Sequence, residues 1–193
     1  VVHFEHAGKR FNVIDTPGYA DFIGQKIGAL RGVDTAAIVI NAHSGIEVNT
    51  RRVFKEAEKA GVGRIIVINK MDEHNIDFPA LIERIRDTFG SRCVLFNVPQ
   101  GHGGDFKGVV GTLTPPGSAA GALVDPAEIH TALIESIIEV DEELMMKYFE
   151  GEEPTQEQLD ALIVQAVAKG TLVPIVCCSA EQGVGLTELL YVI

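Results

Sequence analysis

The feature that most restricts how this chain can fold is a set of short apolar runs without polar alternation. They are Ala36-Ala37-Ile38-Val39-Ile40, Arg64-Ile65-Ile66-Val67-Ile68 and Val173-Pro174-Ile175-Val176-Cys177-Cys178. A strand with one wet face alternates apolar and polar residues, so unbroken runs read as strands covered on both faces. Helical spacing fills the intervals between them. Phe22, Ile23, Ile27 and Leu30 form one stripe ending near Gly32. Glu47 to Ala60 puts Val48, Val53, Phe54 and Ala57 inward before Gly61, and Phe78 to Phe89 does the same with Leu81, Ile82, Ile85 and Phe89. This strand–helix–strand repetition predicts an α/β fold, a mostly parallel sheet between helices. Val1 to Glu5 and Phe11 to Ile14, around Ala7-Gly8-Lys9, predict an opening β-hairpin.

After Phe89 the pattern changes. Cys93 to Val98 reads as a strand that breaks at Pro99 to Gly104, and Phe106 to Leu113 reads as a second. Thr114 to Gly121 is a loop by composition. Helices are expected over Pro126 to Phe149 and Thr155 to Lys169, with Gly151-Glu152-Glu153-Pro154 between them, and a closing helix starts at Leu186. The segment 98–170 therefore reads as an inserted α+β subdomain. It interrupts a domain formed by 1–97 and 171–193. The 193 residues are 46% hydrophobic, enough to bury a core without metal or disulfides. Cys93, Cys177 and Cys178 are odd in number and lack metal-ligand spacing, which suggests reduced thiols and a cytoplasmic setting. No apolar run reaches the roughly 18 residues of a bilayer span, so no membrane role is expected. With neither an initiator Met nor a signal peptide, the chain reads as an excised segment.

The net charge of −11 is unevenly placed. Asp125 to Asp160 carries twelve acidic residues against the single Lys147, and the remainder balances at fifteen against fifteen. Such a stretch repels phosphates, so it is not expected to bind nucleic acid directly. It reads as a solvated helical face, or more sharply as a dock for a basic protein partner.

Three short motifs follow strands, where ligands bind in open α/β sheets. The first is Asp15-Thr16-Pro17-Gly18. An aspartate there can hold hydrated Mg²⁺, and a following glycine lets a backbone N–H approach a terminal phosphate, although the tetrapeptide alone also reads as a plain turn. The second is Asn69-Lys70-Met71-Asp72. A carboxylate only accepts hydrogen bonds, so Asp72 suits the N1–H and exocyclic amine of guanine and meets the N1 lone pair of adenine repulsively. The Asn69 amide can serve the base and neighbouring loops, and the Lys70 stem can cover the base's face. The third is Cys178-Ser179-Ala180, whose backbone N–H can donate to guanine O6 and whose value lies in its position after the last strand.

Together these residues resemble the third, fourth and fifth guanine-nucleotide motifs of translational GTPases, and Ser44-Gly45-Ile46-Glu47 looks like that family's small-Gly-apolar-acid turn. The segment Asp141 to Thr155, with its Glu-Gly-Glu-Glu-Pro-Thr ending, resembles elongation factor G in particular. The resemblance runs along nearly the whole chain and is loosest from about Gly101 to Ala127. It implies the P-loop-NTPase-like G-domain fold and a GTP-hydrolysing factor that drives translocation on the ribosome. It implies GTP or GDP with Mg²⁺ as ligands, and the acidic insert facing ribosomal proteins. Asp15 would assist the metal through water, and Gly18 would sense the γ-phosphate. Thr16, Pro17 and Met71 belong to the same nucleotide-binding motifs. Asn69, Lys70, Asp72, Ser179 and Ala180 would hold guanosine.

Two departures qualify that picture. Relatives carry a catalytic histidine straight after Asp-Thr-Pro-Gly, where this chain has Tyr19. A phenol, with an ordinary pKa near 10, is a poor proton acceptor or cation at neutral pH, so hydrolysis would be slower, differently triggered or absent. No G-x-x-x-x-G-K-[ST] occurs, so the phosphate loop and the switch before Val1 would lie upstream, leaving the isolated segment inactive. A diverged paralogue of the ribosomal-protection or release-factor type, or a GTP-dependent ribosome-binding protein with impaired hydrolysis, is the alternative.

Overall fold

A computed structural model describes residues 1–117 and 119–193. Ser118, within the segment expected to be a loop, lies outside the described residues. The chain opens with the expected hairpin, β1 (Val2–His6) antiparallel to β2 (Lys9–Val13). Its two-residue turn places Ala7 and Gly8 at φ of 49° and 75°, the sense that matches strand twist. Phe4 stacks on Phe11 at 5.0 Å, and the hairpin forms a small sheet of its own. A short 3-10 turn, Ala20–Phe22, leads into α1 (Ile23–Leu30).

Next come β3 (Thr35–Asn41), α2 (Val48–Ala60), β4 (Gly63–Asn69), α3 (Phe78–Phe89) and β5 (Cys93–Leu95). An antiparallel pair follows, β6 (Asn97–Gln100) and β7 (Gly108–Gly111). Then come α4 (Pro126–Ile138), α5 (Glu142–Phe149), α6 (Gln156–Lys169), β8 (Val173–Cys177) and α7 (Leu186–Val192). The main sheet is parallel throughout, in the order β3-β4-β8-β5.

Two cores flank that sheet. Ile38, Ile40, Ile66, Ile68 and Ile175 face Phe54 of α2 and Leu81 and Ile85 of α3. Ile65, Val67 and Val176 face Ile134 and Ile137 of α4 and Leu162 and Ala166 of α6. At the strand starts, the buried Arg64 guanidinium lies 5.1 Å from the Phe54 ring centroid and bonds Glu58 at 2.7 Å. Arg92 joins the same carboxylate, and the two guanidinium hydrogen bonds hold Glu58 below the usual carboxylate range.

The structure corrects five local expectations. No β3 residue joins the second core, so β3 is open on one face and Val39 is 61% exposed. The helices α4 and α6 cover β4, β8 and β5 but stop short of this edge strand. Val48 is 83% exposed because Glu47 is the helix N-cap, which leaves Val48 in the first turn outside the inner stripe. The run Cys93 to Val98 divides between two sheets. Asn97, fully buried, donates to Cys177 O at 3.1 Å and accepts from Cys177 N at 2.7 Å, so the hand-over point carries the side-chain tie to β8. Pro99, read as a breaker, lies within β6, an edge position where a missing N–H is tolerated, and its carbonyl accepts from Leu123 N at 3.0 Å.

The fifth correction is the expected helix from Pro126 to Phe149, which is two helices. Asp141 Oδ1 accepts from Glu143 N and Leu144 N at 3.1 and 3.0 Å, capping a new start.

Candidate functional site

Three parallel strands end level with one another. Asn41 at the end of β3 is in register with Asn69 at the end of β4, and Ile68 is in register with Cys177 of β8. The loops that follow are tied across. Asn69 Oδ1 accepts from Ala180 N at 2.9 Å and from the Cys178 thiol at 3.6 Å. Met71 N donates to Cys178 O at 3.2 Å, and Cys178 N donates to Ile68 O at 2.9 Å. The second and third motifs, 109 residues apart at Asn69 and Cys178, are therefore one assembly.

Met71 is fully buried and anchors the loop from below. Lys70 takes the left-handed conformation, φ 66°, which few non-glycine residues adopt and which an otherwise well-tied loop can enforce. Its ammonium lies 3.0 Å from Glu73 Oε1, and Glu73 Oε2 accepts from Asn41 Nδ2 at 3.1 Å. The hydrogen bond from Lys70 is the largest cause holding the Glu73 carboxyl below its ordinary range, and Glu73 in turn raises Lys70. Gly103 N donates to Met71 O at 2.8 Å, so the turn after β6 braces this loop.

Asp72 is the exception in this well-satisfied neighbourhood. Its Oδ1 is buried and has no hydrogen-bond partner. A buried acceptor left unpaired costs about 1–3 kcal/mol, so the atom calls for an external donor. The paired N–H groups of guanine's Watson–Crick edge meet that need, whereas the adenine edge presents a lone pair to it. Ser179 is fully buried, and its Oγ accepts from Gln182 N at 3.2 Å while its backbone bridges Val184. It shapes the last loop. Ala180 is exposed, with its N–H already given to Asn69.

The first motif stands apart. Asp15, Pro17 and Gly18 are exposed, Thr16 is half-buried, and Tyr19 is 76% exposed. Gly18 O accepts from Lys26 Nζ at 3.0 Å and from Asn49 Nδ2 at 3.3 Å, so this turn is held by α1 and α2. No hydrogen bond among the described residues joins Asp15–Gly18 to the Asn69 or Ser179 loops. A cleft of about 530 Å³ beside the turn is lined by Gly18, Tyr19, Asp21, Glu47 and Asn49. Among the described residues no group of three side chains could by itself hold a metal. Asp15 offers one carboxylate, the usual protein share for Mg²⁺ when phosphates and water complete its shell.

Sequence reasoning missed Asn41, Glu73, Lys26 and Asn49. Two of these left signals: Asn41 closes its apolar run as Asn69 does, and Lys26 falls midway between Phe22 and Leu30 on one helical stripe.

These features define a class, an open α/β domain of the nucleotide-binding type, whose loops gather at the carboxyl ends of parallel strands, where ligands bind in such sheets. Residues 1–193 match the Elongation factor Tu GTP binding domain, and the chain belongs to that family, the GTP-binding domains of translational GTPases. It is similar to a protein of known crystal structure from Thermus thermophilus, at 31% identity and a TM-score of 0.84. The match covers 98% of this chain and 31% of that one, so the chain spans under a third of that protein's length. The fold expectation and the resemblance to translational GTPases hold. Among the described residues no helix is long and apolar enough to cross a membrane.

Proposed function

We propose that the chain belongs to a factor of the elongation factor G type, which hydrolyses GTP and promotes ribosomal translocation in the cytoplasm. The observation that carries its guanine-reading part is the orphaned Asp72 Oδ1 beside an Asn69 locked by Ala180. In this reading Asp72 accepts from guanine, Asn69 holds the two loops together, and the Lys70 stem lies along the base. The Ser179–Ala180 turn closes the base edge. Gly18, between Thr16-Pro17 and Tyr19, meets the terminal phosphate. Asp15 would hold Mg²⁺ through water, and the metal when bound neutralises phosphate charge. Residues 1–97 and 171–193 would form the G domain, and 98–170 the insert.

The elongation factor G assignment rests on the Asp141–Thr155 segment. The partner would be the ribosome. A basic ribosomal protein would meet residues 125–160, where a cleft of about 330 Å³ is walled by Glu135, Glu139, Met145 and Phe149. The test of the site is competition on the full-length protein: guanine nucleotides should displace labelled GDP on the order of a thousandfold better than adenine nucleotides. Equal displacement by both would overturn the reading.

A second reading is favoured by Tyr19, exposed at the place where relatives carry a histidine. Here GTP occupancy signals ribosome docking without efficient turnover. Single-turnover hydrolysis with ribosomes decides between them: the docking reading expects Tyr19→His to raise the rate by about a hundredfold or more, the lower end of a general acid–base contribution. An unchanged rate would remove Tyr19 as the limit on chemistry.

A further inference from the structure

Lys26 is the only lysine buried among the described residues, at 7% exposure. Lysine is almost never buried without a partner, and the partner is ordinarily a carboxylate. Here the ammonium instead donates to two consecutive main-chain carbonyls, Gly18 O at 3.0 Å and Tyr19 O at 3.3 Å. Asn49 of α2 donates to the same Gly18 carbonyl, and Phe22 N donates to that of Tyr19. Every peptide bond described is trans, so directing the Gly18 carbonyl at Lys26 turns the Tyr19 N–H to the opposite side. Two successive peptide planes are thus oriented from below by one side chain. The turn has little else to order it, since Pro17, Gly18 and Tyr19 are exposed.

We propose that Lys26 is a positioning residue that sets the preference of this site for nucleoside triphosphate over diphosphate. It holds the Gly18–Tyr19 backbone in one orientation before ligand arrives, so that a terminal phosphate meets a formed turn. A turn that had to be ordered by the phosphate would subtract its ordering entropy from triphosphate affinity alone. A diphosphate does not reach the turn and is indifferent to it. This rests on the guanine-nucleotide reading above.

The experiment measures GTP and GDP affinity, by a non-hydrolysable GTP analogue and labelled GDP, for the full-length protein and three variants. Lys26→Met removes both donors while keeping an unbranched side chain. It should weaken the GTP analogue about tenfold, the loss of one charge-assisted hydrogen bond, with GDP unchanged. Lys26→Arg retains donors and should recover most of the difference. Asn49→Ala, at a more exposed position, removes the second donor to Gly18 and should act in the same direction with a smaller change. Unchanged GDP affinity certifies the fold of each variant. A GTP-to-GDP ratio that stays at the wild-type value in Lys26→Met would overturn the proposal, as would equal weakening of both ligands with an unchanged ratio in Asn49→Ala. A wild-type protein that binds neither guanine nucleotide would instead overturn the underlying reading, and this inference with it.

Discussion

In the proposed reading, Asp72 concentrates the base chemistry of the site in one carboxylate, whose Oδ1 is buried without a partner. Replacing it by Asn puts an amide donor where the guanine edge also donates, so Asp72→Asn should weaken GDP by at least about a hundredfold while melting within a degree or two of wild type. Fluorescent GDP titration with a thermal melt checks both halves. A GDP affinity within about threefold of wild type would remove Asp72 from base recognition. The two acceptor residues Asn69 and Asp72 were legible in the sequence because their chemistry is local: residue types, order and a preceding strand. Glu73 and Asn41 were not, since their hydrogen bond spans 32 residues and exists only once β3 and β4 are in register. For Lys26 the helical stripe marked its place but not its role. Its acceptors are main-chain carbonyls, which leave no mark in a sequence.

At the scale of elements, the helices and buried strands were read well wherever one face determined the pattern. All five β4 residues from Arg64 to Ile68 are buried, and Leu81, Ile82, Ile85 and Phe89 of α3 point inward as expected. The errors arose where a boundary is set by a cap or by a change of partner. Asp141 looks like any other acid in an acidic helix, yet its carboxylate caps the start of α5, two residues beyond the Glu139 that ends α4. Asp141→Ala should therefore cost about 1 kcal/mol, a loss of about 2–4 °C in melting temperature for a chain of this size. Asp141→Ser, which retains capping ability, should restore most of it; equal losses in both variants would assign the cost to charge instead. Asn97 is the corresponding boundary among strands. Without knowing that its amide spans to Cys177, nothing marks where one sheet gives way to the next.

For the molecule as a whole, three thiols give stability a pH dependence. Burial pushes Cys93 up to about 12 and Cys178 to about 11, and lifts Cys177 well above the ordinary 9.0. The unfolded chain then loses these protons first, so the contribution is fully present below about pH 9 and is lost as pH rises toward the folded values. Melting temperature should fall markedly between neutral pH and about pH 10.5, and the fall should be shallower in Cys93→Ala, which has one fewer proton to release. An identical pH profile in that variant would dismiss Cys93 as a contributor. The parallel architecture was visible at this scale from the apolar runs alone. The open face of β3 was not, because it depends on how far α4 and α6 reach.

The twelve acids of α4, α5, α6 and their connectors lie almost wholly at the surface, in elements other than the strand ends that present Asn69, Asp72 and Ala180. Ionic strength therefore acts on the two regions unequally. With a Debye length of about 10 Å at 0.1 M salt, added electrolyte quiets attraction between this layer and a cationic surface. It should do little to a short hydrogen bond between Asp72 and an uncharged base. A salt series would thus separate the proposed docking by the helices from the proposed reading of the base by the loops, without altering a single residue.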